Sequence, residues 1–296
     1  MRRTIYPLIA TTAAALMIAG ASAASASTVN TPSTTGAPIG NIHAAGEQVS
    51  NRDFRFIAST LTVPDDSFAQ YYQDIYPAEY IELSTGTALQ GIGQNPGDQY
   101  ARAGIETCAV AENANGNVNC GNATWVSFVE VFNNSLNGPF TFHYAPLDGV
   151  SGGDGVQFSI YDNVQGNELS FTITPPTPAG GQPVGGSTYK TQSYGAIFDH
   201  ASALDDFTNG SNTPVALPPI VSAFKLNSFL GTAITTNSGA KGSFTGPWTT
   251  SQVIATSNGD VPPAGTERVW PTGLYSDGYK SNGAVRSADA FDIWAR

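Results

Sequence analysis

The sequence predicts an all-β protein built as an antiparallel two-sheet β-sandwich. After Phe54 the chain is a series of short runs in which apolar and polar residues alternate, which is the period of a half-buried strand. Turn-forming residues separate these runs, and no amphipathic stretch with the helical period is longer than two or three turns. Because an α/β fold needs helices between its strands, the two-sheet sandwich is the favoured architecture.

The predicted strands follow one another from Phe54 to the C-terminus. The run FRFIASTLTV ends at Pro64, and EYIELSTG stops at the turn residue Gly86. Connections such as NNSLNG and GVSGGDG carry turn chemistry, whereas HASALDDFTNG is expected to form one short helical turn. The other predicted strands are QYARAGIETCAV, ATWVSFVEVF, FTFHYAPL, GVQFSIYDN, ELSFTITPP, YKTQSYGAIFDH, IVSAFKLNSFLGT, SQVIATSN, ERVWPTGLYS and AFDIWAR.

The N-terminus predicts a secretory signal peptide over residues 1–26. Arg2 and Arg3 form a basic start, and the run that follows is mostly apolar and small. Two small-x-small cleavage signals end at Ala23 and Ala26. The apolar run is shorter than the ~20 residues that a membrane-spanning helix needs. We therefore expect a secreted protein.

The segment behind the signal peptide predicts a leader, and the rest of the chain predicts one domain. Residues 27–48 are rich in Ser, Thr, Pro and Gly with little apolar periodicity, which is typical of a flexible leader or linker. Residues 49–296 are within reach of a single large β domain, and they contain no internal repeat.

Charge and composition exclude several classes of partner. The chain has 23 acidic and 12 basic residues, a net charge of -11, and removal of the first 26 residues takes away Arg2 and Arg3 and moves it to -13. Nucleic acids and anionic membranes require a basic face, so neither is an expected partner. No phosphate-binding glycine loop, zinc-protease helix or nucleophile elbow is present, so we predict no cofactor and no metal. We expect a monomer.

The two cysteines predict a disulfide. Cys108 and Cys120 lie twelve positions apart, and an even, close pair in an oxidising compartment favours a bridge. The intervening AVAENANGNVN is polar and rich in turn residues, as in a bridged hairpin or surface loop. No histidine lies nearby and there is no second cysteine pair, so a metal site is not predicted here.

Acidic side chains in strand-like runs are the candidates for acid–base chemistry, because burial can raise the pKa of a carboxyl group. Glu130 stands out, since it shares a strand face with Phe128 and Phe132. A carboxylate between two aromatic rings either lines a cleft or is costly to bury unpaired. The full set is Glu82, Glu106, Glu130, Glu168 and Asp199.

Two further features leave alternatives open. Trp125 and Phe128 lie in a region crowded with aromatic residues, which indicates either sandwich core or a groove that holds an extended polymer. His200 directly follows Asp199, and adjacent residues of a strand point to opposite faces. The members of a Ser/His/Asp triad can come from anywhere in a chain, so that chemistry also stays open. His43 falls in the predicted leader.

The order of the motifs resembles the eqolisins, secreted glutamic peptidases with a lectin-like, jelly-roll β-sandwich. The likeness spans roughly residues 54–296 and rests on ordered motifs. FIASTLTVP resembles the first strand of the family, EYIELSTG lies where the family has an aromatic-led strand that ends in a glycine turn, and GGDGVQFSIYD resembles its Gly-Asp strand. YARAGIETC is similar to the strand of the catalytic glutamine and WVSFVEVF to an aromatic strand with a glutamate. SYGAIFDHA lies where the family has its catalytic glutamate.

The resemblance implies a glutamate that activates water and a glutamine that stabilises the oxyanion. In this sequence the glutamine position falls on Arg102 and the glutamate position on Gly195. The second acid of that strand matches Asp199, and the glutamate of the aromatic strand matches Glu130. On a shifted alignment, Gln90 in TALQGIG supplies the amide. Both members of the catalytic pair are therefore replaced on the direct alignment.

Three functions follow from this. The first is a peptidase-like protein that keeps a concave groove for an extended peptide or polysaccharide but lacks the standard pair. The second is an active acid endopeptidase that uses Glu130 or Asp199 with Arg102 or Gln90, and the third is a lectin-like glycan-binding module. The catalytic candidates are Glu130, Asp199 and Arg102, and the groove candidates are Gln90, Trp125, Phe128 and Gly195.

Arg102 carries a geometric expectation. If it lines the groove, Glu130 or Asp199 lies within ion-pair distance, because an unpaired charge there is expensive. Such a pair would keep the acid ionised and lower its pKa. We also expect Arg102, Glu130 and Asp199 to converge in one cleft.

Overall fold

Seventeen β-strands and one short helix make up the described part of the chain, which confirms the all-β class. The structure is a computed structural model. It describes residues 35–64, 75–86, 99–114, 118–121, 123–133, 138–176, 186–193, 197–209, 214–215, 224–256, 258–261, 267–276, 280–281, 284–285 and 289–295. The predicted signal peptide lies outside these residues.

The first ten strands are β1 (Ile39–Asn41), β2 (Ala44–Thr62), β3 (Ile75–Ser84), β4 (Gln99–Thr107), β5 (Trp125–Asn133), β6 (Gly138–Pro146), β7 (Gly155–Asn163), β8 (Glu168–Thr174), β9 (Ser187–Gln192) and β10 (Phe198–Asn209). The other seven are β11 (Phe224–Thr236), β12 (Lys241–Gly242), β13 (Thr249–Ala255), β14 (Val269–Pro271), β15 (Lys280–Ser281), β16 (Ala284–Val285) and β17 (Phe291–Ala295). The helix α1 (Cys108–Ala114) follows β4 directly. Within the described ranges, no helix combines the length and the hydropathy that a bilayer crossing requires.

The 19-residue strand β2 connects two groups of strands. Its first part pairs with β13 and β10, and the order β1-β13-β2-β10-β3-β4-β5-β6 continues from there. Its second part pairs with β11 and β7, which lead to β17 and β14 on one side and to β8 and β9 on the other. Apart from the parallel pair β1–β13, the described pairings are antiparallel. Because β2 and the pairing of β13 with β14 join both groups into one 15-stranded sheet, the separation into two sheets stays a prediction.

Two predictions about local structure are wrong. The flexible leader expected over residues 27–48 does not hold for its last part, because β1 and the buried start of β2 lie there. The segment HASALDDFTNG is expected to form a helical turn, but its residues 200–209 belong to the central strand β10 instead. β10 lies between β2 and β3, and its pairing with both outweighs its weak helical pattern.

Aromatic and branched aliphatic side chains fill the core. Burying each of them stabilises the fold by about 1.5–3 kcal/mol relative to leaving it exposed. The largest fully buried side chains are Phe54, Phe158, Phe171, Phe198, Phe207, Phe229, Phe244, Phe291, Ile57, Leu61 and Ile81. On β3, β4 and β5 the residues that point into this core alternate with residues that point to the opposite face, which we call the polar face. The polar face positions the candidate site.

The disulfide between Cys108 and Cys120 is confirmed. Their Cα atoms are 6.1 Å apart, within the usual range for a bridge. The bridge links the start of α1 to the segment that leads into β5. The loop between the cysteines is thus partly helical, although its composition predicted turns.

Candidate functional site

Neighbouring strands place a line of polar side chains across the polar face. Glu82 of β3 lies opposite Arg102 of β4, and Arg102 lies opposite Glu130 of β5. Ser202 of β10 lies opposite Glu82, and Gln48 of β2 lies opposite Ser202. Directly opposite residues share a face, with Cβ atoms about 5 Å apart. We call these five residues the polar row.

Arg102 is fixed at the centre of this row. Its Nε donates a hydrogen bond to Glu82 Oε2 at 2.5 Å, and its Nη1 lies 3.9 Å from Glu130 Oε2. The guanidinium carbon lies 4.6 Å from the ring centre of Tyr80 and 4.1 Å from that of Tyr100, which are cation–π distances. The predicted ion pair between Arg102 and Glu130 is therefore present. Glu82, which is fully buried, is the nearer partner.

The pKa of Glu130 is raised, so the prediction of a lowered pKa is wrong. Burial raises it, whereas Arg102 and the hydrogen bond donated by the Tyr100 hydroxyl to Glu130 Oε1 lower it. The charges of Glu82 and Asp206 raise this pKa as well, so the effect of burial prevails. Glu130 can consequently hold a proton at a higher pH than an ordinary glutamate.

A second line of side chains runs parallel to the polar row, two positions further along each strand. Leu204 lies opposite Tyr80, and Tyr80 and Phe128 lie on either side of Gly104. The two rings meet edge to face over Gly104, with centroids 6.4 Å apart. A Cβ at Gly104 would come within 1.9 Å of a backbone oxygen of β3, so only glycine fits.

Within the polar row, the side chains that solvent can reach are charged. Tyr80 and Phe128 are buried, with exposed fractions of 3% and 5%. The side chains of Arg102 and Glu130 are 17% and 15% exposed. A ligand that reaches this face therefore meets a cation and a carboxyl group side by side.

His43 and Asp206 form an ion-pairing contact that the sequence did not predict. His43 Nδ1 lies 2.6 Å from Asp206 Oδ1, and the two side chains are 28% and 14% exposed. Burial lowers the pKa of His43, but the hydrogen bond and charge of Asp206 outweigh this and the pKa is raised. The charge of Arg102 lowers the pKa of His43, and that of Asp206 raises the pKa of Glu130. The pair therefore belongs to the electrostatic surroundings of the polar row.

Asp199 lies apart from Arg102 and Glu130. Its Oδ1 accepts a hydrogen bond from the Gly86 backbone N–H at 2.9 Å and lies 2.7 Å from His200 Nδ1. The contact with His200 contradicts the expectation of opposite faces, and a register shift between β10 and β2 at this point accounts for it. Among the described contacts, none joins Asp199 to Arg102 or Glu130. Of the three catalytic candidates expected in one cleft, only Arg102 and Glu130 therefore lie together.

The groove candidates have different positions. Trp125 is 9% exposed and packs in the main core, because it lies an odd number of positions from Glu130 and points to the opposite face. Phe128 does lie on the polar face, but it is covered. Gln90 and Gly195 lie outside the described residues. Trp125 therefore does not line a groove with Glu130.

A separate group of acids faces the core. Asp205 lies between Ala45 of β2 and Glu79 of β3, and Asn227 Nδ2 donates to both of its carboxyl oxygens, at 2.6 and 2.7 Å. Burial and the neighbouring Asp205 raise the pKa of Glu79, and burial likewise raises the pKa of Asp205 and of Glu47. Among the described residues, no three potential metal ligands converge. These acids therefore favour the protonated form in the folded chain.

Comparison with known proteins shows limited likeness. No family model and no curated protein matches the chain. A solved structure of scytalido-glutamic peptidase with a transition state analog inhibitor is 13% identical, with 85% of this chain and 97% of that chain covered and a TM-score of 0.44. SCP-B, a member of the eqolisin family of peptidases in complex with the tripeptide Ala-Ile-His, is 12% identical over the same shares, with a TM-score of 0.41. The ancestral congerin Con-anc is 9% identical, with 63% and 98% covered and a TM-score of 0.30. At these values the likeness assigns no family, and membership of the eqolisins stays the prediction drawn from the motif order.

Proposed function

We propose that this chain is a secreted β protein that binds a short extended segment of a peptide at the polar row and does not cleave it. The observation that carries the proposal is the fixed position of Arg102 between Glu82 and Glu130. A guanidinium held by an ion pair and two rings is pre-organised, so little side-chain entropy is lost when a ligand binds.

The accessible charges match the chemistry of a peptide group. The Arg102 guanidinium is a donor for a carbonyl oxygen, and an ionised Glu130 is an acceptor for an N–H group. Their strands are neighbours, so the two side chains serve one or two peptide units rather than a long polymer.

Two observations support the absence of cleavage. A general base must reach its water molecule, but the Glu130 carboxyl group already accepts a hydrogen bond from Tyr100 and faces Arg102. The resemblance places the catalytic glutamate at Gly195, which has no ionisable side chain. Glu130 would have to perform both acid and base steps alone.

Acid proteolysis is the second candidate function, and one observation favours it. The raised pKa of Glu130 suits a group that exchanges protons in mildly acidic solution. The N–H groups of Arg102 could then stabilise an oxyanion. The third candidate, glycan binding, stays a prediction from the sequence.

Fluorescein-labelled β-casein, an unstructured substrate, separates the first two functions. The chain lacking its signal peptide, with its disulfide intact, is incubated with the probe between pH 2 and 7. Fluorescence anisotropy measures binding, and acid-soluble fluorescence measures cleavage. We expect saturable binding without soluble fragments. Fragments that appear at acidic pH and vanish in Glu130→Gln would establish the peptidase, and an unchanged anisotropy would overturn the binding proposal.

Variants connect the result to the polar row. Replacing Arg102 alone would leave Glu82 buried and unpaired, so the double change Arg102→Gln with Glu82→Gln removes both charges together. We expect it to weaken binding by at least about tenfold. Arg52→Gln is the matched control, because Arg52 is exposed and donates to the neighbouring Asn51 carbonyl.

A further inference from the structure

Two carboxylate oxygens on the polar face are open to solvent and accept no hydrogen bond among the described contacts. Glu130 Oε1 accepts from Tyr100, and Asp206 Oδ1 lies against His43 Nδ1, which leaves Glu130 Oε2 and Asp206 Oδ2. Arg102 Nη1 lies 3.9 Å from Glu130 Oε2, which is beyond hydrogen-bond length. The fold shields neither atom, and the two side chains are 15% and 14% exposed. Both oxygens are therefore available to a donor on a ligand.

The charges around these oxygens do not balance. The acids Glu82, Glu130 and Asp206 face one permanent cation, Arg102, and one histidine, His43, and we call these five residues the charged cluster. Glu82 bonds to Arg102 through Oε2, but its buried Oε1 has no partner among the described residues, so no second donor offsets its charge. With Glu130 ionised and His43 neutral, the charged cluster has a net charge of -2. The chain as a whole, at -11, adds a field of the same sign.

The other ionisable groups that face the charged cluster are neutral below about pH 8. Burial raises the pKa of Tyr80, Tyr100 and Tyr144, so these hydroxyl groups keep their protons. Burial also raises the pKa of Glu106 to about 8. The remaining polar-row residues, on β2 and β10, are a glutamine and a serine, which do not ionise. The charged cluster therefore sets the charge that a ligand meets at the polar row.

We propose that the peptide bound at the polar row carries a lysine or arginine side chain, which donates to Glu130 Oε2 or Asp206 Oδ2. This inference rests on the proposed peptide binding and adds the chemical class of the ligand. A cation is attracted by a negative cluster that offers free acceptors, whereas a ligand carboxylate is repelled by it. Arg102 keeps its own bond to Glu82, so the cation of the ligand does not have to displace it.

Acidification should remove this preference. Burial raises the pKa of Glu130 although Arg102 lowers it, and the contact of His43 with Asp206 raises the pKa of His43 although burial lowers it. As the pH falls through these two values, each group gains a proton, and the net charge of the charged cluster rises from -2 to 0. Each proton weakens the binding of a cation, and by linkage a bound cation releases protons.

Three peptides with both ends blocked test the class of the ligand. The first is Gly-Ala-Lys-Ala-Gly, and the others have glutamine or glutamate in place of lysine. The oxidised chain lacking its signal peptide is titrated with each in a calorimeter at pH 7.5 and pH 4, in about 20 mM salt to limit screening. At pH 7.5 the lysine peptide should bind at least about tenfold more tightly than the glutamine peptide, and at pH 4 less than about threefold. The glutamate peptide should bind most weakly at pH 7.5.

The outcomes separate the two proposals. Equal binding of the lysine and glutamine peptides at pH 7.5 would overturn the cation preference and leave the peptide site standing. A preference that is as large at pH 4 as at pH 7.5 would show that Glu130 and His43 do not control it, which would also overturn the inference. Binding of none of the three peptides would overturn the proposed peptide site together with its preference.

Two variants locate the preference in the charged cluster. Glu130→Gln and Asp206→Asn each remove one negative charge and keep the shape of the side chain, so each should reduce the preference for lysine by at least about threefold at pH 7.5. Glu168→Gln is the matched control, because it removes the same charge from the chain at a partly exposed residue of β8. A preference that survives in both cluster variants, or that falls equally in Glu168→Gln, would overturn the assignment.

Discussion

The wild-type chain is expected to lose folding stability as the pH rises towards neutral, and the substitution Glu106→Gln is expected to reduce this loss. Glu106 lies on β4 between Ala78 and Val126, it is 7% exposed, and Tyr144 donates a hydrogen bond to it. Burial raises its pKa to about 8, with a smaller contribution from the charge of Glu130. The folded chain therefore prefers the protonated form over a pH range in which the unfolded chain is ionised.

The sign and the size follow from proton linkage. The stabilisation from a raised carboxyl pKa is complete below the unfolded value near 4.3 and is lost as pH rises towards 8. The loss is about 1.4 kcal/mol per pH unit and roughly 5 kcal/mol in total, a large share of a typical 5–15 kcal/mol. Glutamine keeps the shape of Glu106 and cannot ionise. The free energy of unfolding of the variant, relative to that of the wild type, should therefore increase by about 1.4 kcal/mol for each pH unit between 5 and 7.

Urea unfolding at half-unit intervals from pH 4 to 8 measures this difference. Free energies of unfolding are compared at each pH for the wild type and Glu106→Gln, with the disulfide intact in both. Glu168→Gln is the control, because hydrogen bonds from Lys190 and Ser170 lower the pKa of the partly exposed Glu168, and the curve of this variant should run parallel to that of the wild type above pH 5. If the Glu106→Gln curve also ran parallel, the raised pKa of Glu106 would be refuted.

Three further changes test other parts of the fold. Gly104→Ala should lower the free energy of unfolding by about 1–3 kcal/mol, because the new methyl group collides with β3; urea unfolding measures this. Replacing Cys108 and Cys120 by serine should cost roughly 2–3 kcal/mol, and a thermal unfolding midpoint no lower than that of the wild type would contradict it. Asn227→Ala removes the Nδ2 donor to both carboxyl oxygens of Asp205 and should destabilise the chain by similar amounts at pH 4 and pH 7, because an acid that is protonated at both pH values loses the same contact at each; a clearly larger loss at pH 7 would argue against a protonated core acid.

The strands and the disulfide could be predicted because both depend on local pattern. Alternation reports the two faces of a strand, and Cys108 and Cys120 are close in sequence. Alternation of apolar and polar residues did not predict the start of β2. Its core positions include Ala45 and Glu47, and its opposite face includes Gly46 and Gln48. Small and polar residues on both faces leave no apolar alternation to detect.

The candidate site was predictable only where it joins strands that follow one another. Arg102 and Glu130 lie on β4 and β5, and the sequence analysis expected an ion pair between Arg102 and Glu130 or Asp199. Glu82 was among the candidate acids, but its role as the nearer partner depends on the register of β3 with β4. The contact between His43 and Asp206 spans 163 positions and brings the start of the domain to β10. No local pattern contains that pairing.

The long strand β2 has a consequence for how the protein folds and unfolds. Its two parts pair with different groups of strands, and both groups bury side chains in one core, so opening one group would expose the core face of the other. Its partners come from distant parts of the chain, so folding must close long loops before these contacts form, which slows it. Amide hydrogen exchange should then report equal, global protection in both halves of β2, and unfolding should be one cooperative transition.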